Sequence, residues 1–181
     1  MEISKTLYVK NRKEWRAWLE KHHKVKDIWL VYYKKHSGKA RIPYNDAVEE
    51  ALCYGWIDST VKRVDEDSVA QRFTPRRKGS PMSEMNKERV RRLIKAGLMT
   101  EHGMMHIDDT LNRRFVPAPD ILNAIKQNKD AWKYYKKLPL GYRRVRIGYI
   151  EEMRNSPEQF KKSLANFIKI TAKDKKFGMV Q

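Results

Sequence analysis

The chain has 181 residues, 40% hydrophobic and 10% aromatic, with 40 Lys and Arg against 22 Asp and Glu for a net charge of +18. That length carries one good core or two small ones, and five Trp and nine Tyr exclude a disordered chain despite the many charges. The charge makes any polymer or surface partner an anionic one, and a lone cysteine, Cys53, rules out an internal disulfide.

Leu7 to Val9 are β-prone, and Asn11 is placed to cap a helix whose Trp15, Trp18 and Leu19 follow i, i+3, i+4 spacing. Asp27 to Lys35 is rich in aromatic and β-branched residues and stops at Ser37-Gly38, so the opening order is β, α, β. After Pro43, Asn45 can cap a helix with the stripe Ala47, Val48, Ala51 and Leu52, which Gly55 ends. Residues 57–64 and 69–74 read as a hairpin around the acidic turn 65–68, stopped by Pro75. A two-residue Glu66-Asp67 loop would set Trp56, Asp58 and Phe73 on one face and Arg72 and Thr74 on the other. Ser83 caps the next helix, with Val90, Leu93 and Ile94 on its apolar side and Gly97 as its stop, and a short helix follows Thr100.

Two prolines at 117 and 119 mark a composition break, beyond which everything reads helical. Asn128 caps a helix carrying Ala131, Trp132 and Tyr135; Tyr142, Val145, Tyr149, Ile150 and Met153 form the apolar face of another. Ser156-Pro157-Glu158-Gln159 opens the last helix as a capping box, followed by Phe160, Leu164, Phe167 and Ile168; residues 173–181 should fray. The expected fold is α+β: a mixed α/β domain with a small antiparallel sheet over residues 1–115, then a helical domain over 116–181.

The loop Arg76-Arg77-Lys78-Gly79-Ser80-Pro81 delivers positive charge ahead of a helix N-terminus, where free N–H groups and the helix dipole favour an anion. Ser83 and Asn86 could orient that anion, Arg72 and Thr74 lie just upstream, and Trp56 and Asp58 could supply a wall and a carboxylate. The competing reading is a solvated basic loop before a capped helix, and Glu84 in the first turn works against an anion. GxxxxGK[ST] is absent, which disfavours nucleotide hydrolysis. Cys53 sits among apolar residues with no His near in sequence, as a buried thiol would. His102 and His106 could share a face with Asp109, but no HExxH pattern supports a metal, and no metal or cofactor is expected. In the tail, Lys133, Lys136, Arg143, Arg144 and Arg146 interleave with Trp132, Tyr134, Tyr135 and Tyr142, a composition that would suit phosphate contact with base stacking; helical spacing instead favours aromatics packed between helices. No signal peptide core opens the chain and the longest apolar run, 51–57, is too short to span a bilayer, so a cytoplasmic protein without a transmembrane segment is expected.

The stretches EALCYGWIDS (50–59), QRFTPRRKGSPMSEMNKERVRRLIKAGLM (71–99) and AWKYYKKLPLGYRRVRIGYIEEM (131–153) resemble the YdeI/OmpD-associated, or bacteriocin-protection, family over most of residues 5–178. The resemblance implies a YjbR/CyaY-like (frataxin-like) N-terminal domain followed by a small helical one, and a link to antimicrobial-peptide resistance. That family commonly has Trp where Met82 stands here. The iron role of frataxin-like acidic surfaces does not transfer to so basic a chain, and a +18 protein should repel cationic peptides, so protection would be indirect. The expectation is a non-enzymatic cytoplasmic binding protein for an anionic ligand or acidic partner at Trp56, Asp58, Arg72, Thr74, Arg76, Arg77, Lys78, Ser83 and Asn86. The alternatives are nucleic-acid binding through the tail, or an enzyme acting on an anionic small molecule with Asp58 as base.

Overall fold

A computed structural model describes residues 2–77, 79–107 and 111–178. The fold is α+β. Its residues form two compact units, one of Met1–Ser80 with Val90–Leu111, the other of Pro81–Arg89 with Asn112–Gln181.

The first unit opens β1 (Thr6–Tyr8), α1 (Arg12–His22), β2 (Ile28–Tyr33), as the periodicity predicts. Asn11 caps α1 by accepting the Glu14 N–H. After a 3-10 turn at Lys35–Ser37, α2 spans Tyr44–Cys53. It begins one residue before the expected Asn45 cap, because Pro43 occupies the cap position and its carbonyl accepts the Ala47 N–H. The hairpin follows as β3 (Trp56–Arg63) and β4 (Ser68–Pro75), and the sheet order is β1-β2-β4-β3. It is mixed rather than wholly antiparallel: the helical crossover makes β1 parallel to β2.

The hairpin tip differs from the expected two-residue loop. The Asp65 carboxylate accepts from the Asp67 N–H and the Ser68 hydroxyl, and Val64 bonds to Ser68 across a three-residue loop. That slip would flip every side chain, but a bulge between Asp58 and Val61 adds one residue and reverses it. Trp56, Asp58 and Phe73 therefore do share a face, with Arg72 and Thr74 on the other. Pro75 does not quite end the pairing, since the Arg76 N–H reaches the Gly55 carbonyl at 2.8 Å.

One sheet face is covered by α1 and α2: Trp15 meets Phe73 edge-on at 5.5 Å and donates its indole N–H to the Ala47 carbonyl. The other packs Trp29, Val31 and Ala70 beneath Ile3, Tyr8 and Tyr33. Glu50, 2% exposed, ties the helical layer together by pairing with Arg12 and, at 2.7 Å, Arg16, while Glu49 receives Arg12 at 3.0 Å and Arg92 at 3.1 Å. Arg92 belongs to α3 (Glu84–Lys95), and α4 (Glu101–Met105) is capped by Thr100, whose hydroxyl accepts the Gly103 N–H and donates to the Cys53 carbonyl.

The second unit holds the first turns of α3, up to Arg89, with α5 (Pro119–Gln127), α6 (Lys129–Tyr135), α7 (Leu140–Glu152) and α8 (Pro157–Thr171). Asn128 caps α6 as expected, but Ser156 makes no side-chain cap to α8, so the capping box is not formed and Pro157 at the first turn sets that start. Ile121, Ile125, Tyr135, Tyr142, Ile147, Ile150 and Phe167 form the core. Gly141 and Gly148 let α3 lie close: a Cβ on Gly148 would come 2.7 Å from Glu84 Cβ, and one on Gly141 2.7 Å from the Glu88 carboxylate. The tail is held further than expected, since Phe177 packs on this core and exchanges hydrogen bonds with the Tyr142 hydroxyl.

Candidate functional site

The residues expected around the basic loop are distributed among structural tasks. Trp56 is fully buried and donates its indole N–H to the His23 carbonyl at 2.8 Å, so it offers no wall to solvent. Arg72 pairs with Asp27 at 2.9 Å, and this bond, helped by the Ser4 hydroxyl, holds the Asp27 carboxyl below its usual range against the opposing effect of burial. Thr74 faces the same way and pairs with Ile57 in the sheet. Arg76 is buried and bonds the carbonyl and hydroxyl of Ser80, which in turn donates to the Arg77 carbonyl, closing the turn on itself; Arg77 is exposed. Lys78 lies outside the described residues. In the other unit, Ser83 caps α3 through the Asn86 N–H, and Asn86 accepts from Arg89. Asp58 lies on the helical face of the sheet, accepting from Tyr44 and Gln71.

The basic tail residues rest on aromatic rings: Lys133 over Tyr134, Lys136 over Trp132, Arg143 over Tyr135. Arg144 pairs with Glu88 at 3.0 Å. Tyr135 is core, with Trp132 packed against it, so these two rings are committed between helices.

Arg146 is placed differently. It lines a cleft of about 370 Å³ together with Tyr149, Gln159, Lys162, Ser163, Asn166 and Phe177. Its guanidinium lies 3.9 Å above the Phe177 ring and 5.5 Å from that of Tyr149. Its Nε is buried without a hydrogen-bond partner, and it has no ion pair among the described residues. Burial lowers its pKa from the ordinary guanidinium value, opposed by Tyr142 and Tyr149; an arginine remains a cation under such a shift. Among the described residues the lining holds two cations, four neutral hydrogen-bonding side chains and no carboxylate. Gln159, Lys162, Ser163 and Asn166 repeat at helical spacing along α8, on a stripe beside the apolar one. That second stripe was the signal to be read in the sequence.

Elsewhere in the first unit, burial pushes the Cys53 thiol up to about 11, with Glu50 adding to the shift, so it is not a nucleophile near neutrality. The His102 ring approaches those of His23 (4.5 Å) and His106 (4.9 Å). Among the described residues no three His, Cys, Asp or Glu form a metal-holding group, and Asp109 is outside them. Burial, then His23, His106 and Lys24, lowers the His102 pKa from 6.5. The folded form therefore binds its proton more weakly than the unfolded chain, and stability present above about pH 6.5 falls as the pH drops through the depressed value. His102→Gln is expected to flatten the fall in urea midpoint between roughly pH 7 and pH 5; an unchanged slope would place the acid sensitivity elsewhere.

Residues 7–106, more than half of the chain, match the family model described as Domain of unknown function (DUF8412). The chain belongs to that family. Residues 115–174 match a second model, Bacteriocin-protection, YdeI or OmpD-Associated, which supports that resemblance for the segment containing all the lining residues of the Arg146 cleft except Phe177. No curated protein and no solved structure matches the chain. Among the described residues, no helix is long and apolar enough to cross a membrane.

Proposed function

We propose that the protein is a non-enzymatic, cytoplasmic binding protein that holds an anionic group of phosphate or carboxylate type in the Arg146 cleft. The observation that carries this reading is the Arg146 guanidinium itself. It is held against an aromatic ring, keeps a buried donor unused and, among the described residues, has no ion pair and no carboxylate in the lining it faces. A buried polar group without a partner is uncommon and calls for one, and a guanidinium fork matches two oxygens of a phosphate or carboxylate. Lys162 adds a second charge, and Gln159, Ser163 and Asn166 can complete the shell.

The YdeI/OmpD-associated match suggests that this binding serves protection against bacteriocins or related peptides. At +18 the protein would repel such peptides when they are cationic, so protection would run through an anionic partner. The frataxin-like grouping of the N-terminal unit is part of the same reading, supported by one sheet with helices laid on a face. The loop residues Arg77 and Lys78 remain a second place for an anion.

Titration with inorganic phosphate and with acetate, followed by NMR, tests both places at once. The expected result is saturable shifts at the Arg146 Nε–H and the Gln159 and Asn166 side-chain amides, weakened about tenfold or more in Arg146→Gln and reduced by added chloride. Shifts confined to Gly79 to Asn86 would move the site to the loop, and no shift at either place would end the anion-binding proposal.

A further inference from the structure

The helix-covered face of the first unit's sheet leaves a second cavity, of about 180 Å³, where the helical layer stops short. Its floor comes from three neighbouring strands: Tyr32 of β2 opposite Val69 of β4, and Gln71 of β4 opposite Val61 of β3. Arg41 and Tyr44, where the chain enters α2, form the opposing wall. The bulge makes this floor possible. In a regular strand Asp58 and Val61 would point to opposite faces, and the extra residue between them brings both to this one.

The polar groups here are few and unevenly used. Tyr32 is 5% exposed, and its hydroxyl is buried with no hydrogen-bond partner among the described residues. Burial first, then the Asp58 charge, raises its pKa, so it is a protonated donor at any physiological pH. The Asp58 Oδ2 accepts from the Tyr44 hydroxyl at 2.8 Å and from Gln71 Nε2 at 2.7 Å. That bond commits the Gln71 amide nitrogen and leaves its carbonyl oxygen as an acceptor in the floor. Arg41 is exposed and makes no ion pair among the described residues. Tyrosine rings and two valines supply the rest of the lining.

We propose that this cavity binds a small carboxylic acid carrying one ring. The carboxylate pairs with Arg41, the ring lies among Tyr32, Tyr44, Val61 and Val69, and an oxygen on the ring's far side accepts the Tyr32 O–H. Size sets the ring count: a dry apolar cavity of about 150 Å³ holds benzene, so about 180 Å³ takes one ring with a small substituent and not two. Sign sets the charge, because Arg41 is the cation in the lining while Asp58 is already answered by two donors. A ligand oxygen on Tyr32 would also end the isolation of a buried hydroxyl.

The 181-residue chain would be titrated with benzoate, 4-hydroxybenzoate, acetate and toluene, following the Val61 and Val69 methyl signals. Benzoate is expected to shift both saturably, and acetate (charge without ring) and toluene (ring without charge) to bind at least about tenfold more weakly. Arg41→Gln should weaken benzoate by about tenfold. Tyr32→Phe should leave benzoate unchanged and remove whatever advantage 4-hydroxybenzoate shows over it. The proposal is overturned if benzoate leaves the two methyls unmoved, or moves only signals of the Arg146 cleft. It is equally overturned if acetate or toluene binds as well as benzoate, or if Arg41→Gln binds benzoate like the wild type.

Discussion

Glu50→Ala is expected to lower the unfolding free energy by about 3 kcal/mol, with the urea midpoint falling and the m-value unchanged. Glu50 is the most deeply buried carboxylate of the α1–α2 layer, and two guanidiniums converge on it. Removing it leaves the Arg12 and Arg16 charges facing each other with only Glu49 and the more distant Asp46 to answer Arg12. Full burial would put the cost at the upper end of the ~3–5 kcal/mol range for breaking a buried ion pair. The arginine side chains are about a third exposed and can rehydrate, which brings the expectation down. Glu50→Gln should cost less, since it keeps an acceptor for one guanidinium. A loss under about 1 kcal/mol for Glu50→Ala would mean that these pairs behave as surface ones.

Trp56→Ala should cost about 3–5 kcal/mol, the range for truncating a buried large aromatic side chain. The indole is fully enclosed, meets Trp18 edge-on at 6.1 Å, and satisfies the His23 carbonyl where α1 ends. Trp56→Phe would refill much of the volume and leave that carbonyl without its donor, so an intermediate loss is expected. Had Trp56 been the exposed wall of a ligand site, truncation would change binding and leave the urea midpoint nearly alone. The denaturation curve of Trp56→Ala therefore decides between the two roles.

The elements were legible because their signals are local. Asn11, Ser83, Thr100 and Asn128 each cap the helix whose start they mark, and the apolar spacing names the buried faces. What misled was also local. Ser156 has the partners of a capping box in sequence and makes no side-chain cap, and the Asp65 side chain turns a two-residue loop into three. The face assignment of Trp56 and Asp58 held only because a bulge, which no residue type announces, undid that slip. The candidate sites were less legible, for a related reason. A cluster of charge in one loop is visible in a row of letters, but Arg72 is absorbed by Asp27, a partner that only the fold brings near, and Arg76 by Ser80 within a turn whose closure no residue type announces. The Arg146 cleft needs α7, α8 and the tail, and the Tyr32 cavity gathers residues from four separate stretches. Arg146 stood out only as one more basic residue among many until its neighbours were known.

The paired glycines of α7 bear on how such a chain can be inherited. Gly141 and Gly148 leave two shallow hollows that Glu88 and Glu84 fill from a segment far upstream. A gene cut at the boundary between the two family matches, near residue 110, would yield a downstream product with both hollows vacant and Arg144 deprived of Glu88. Such a fragment is expected to be less stable than one that keeps the start of α3. A piece reaching back to about Pro81 would keep both hollows filled, whereas a fusion joined at the apparent family boundary would leave them to a substitute helix.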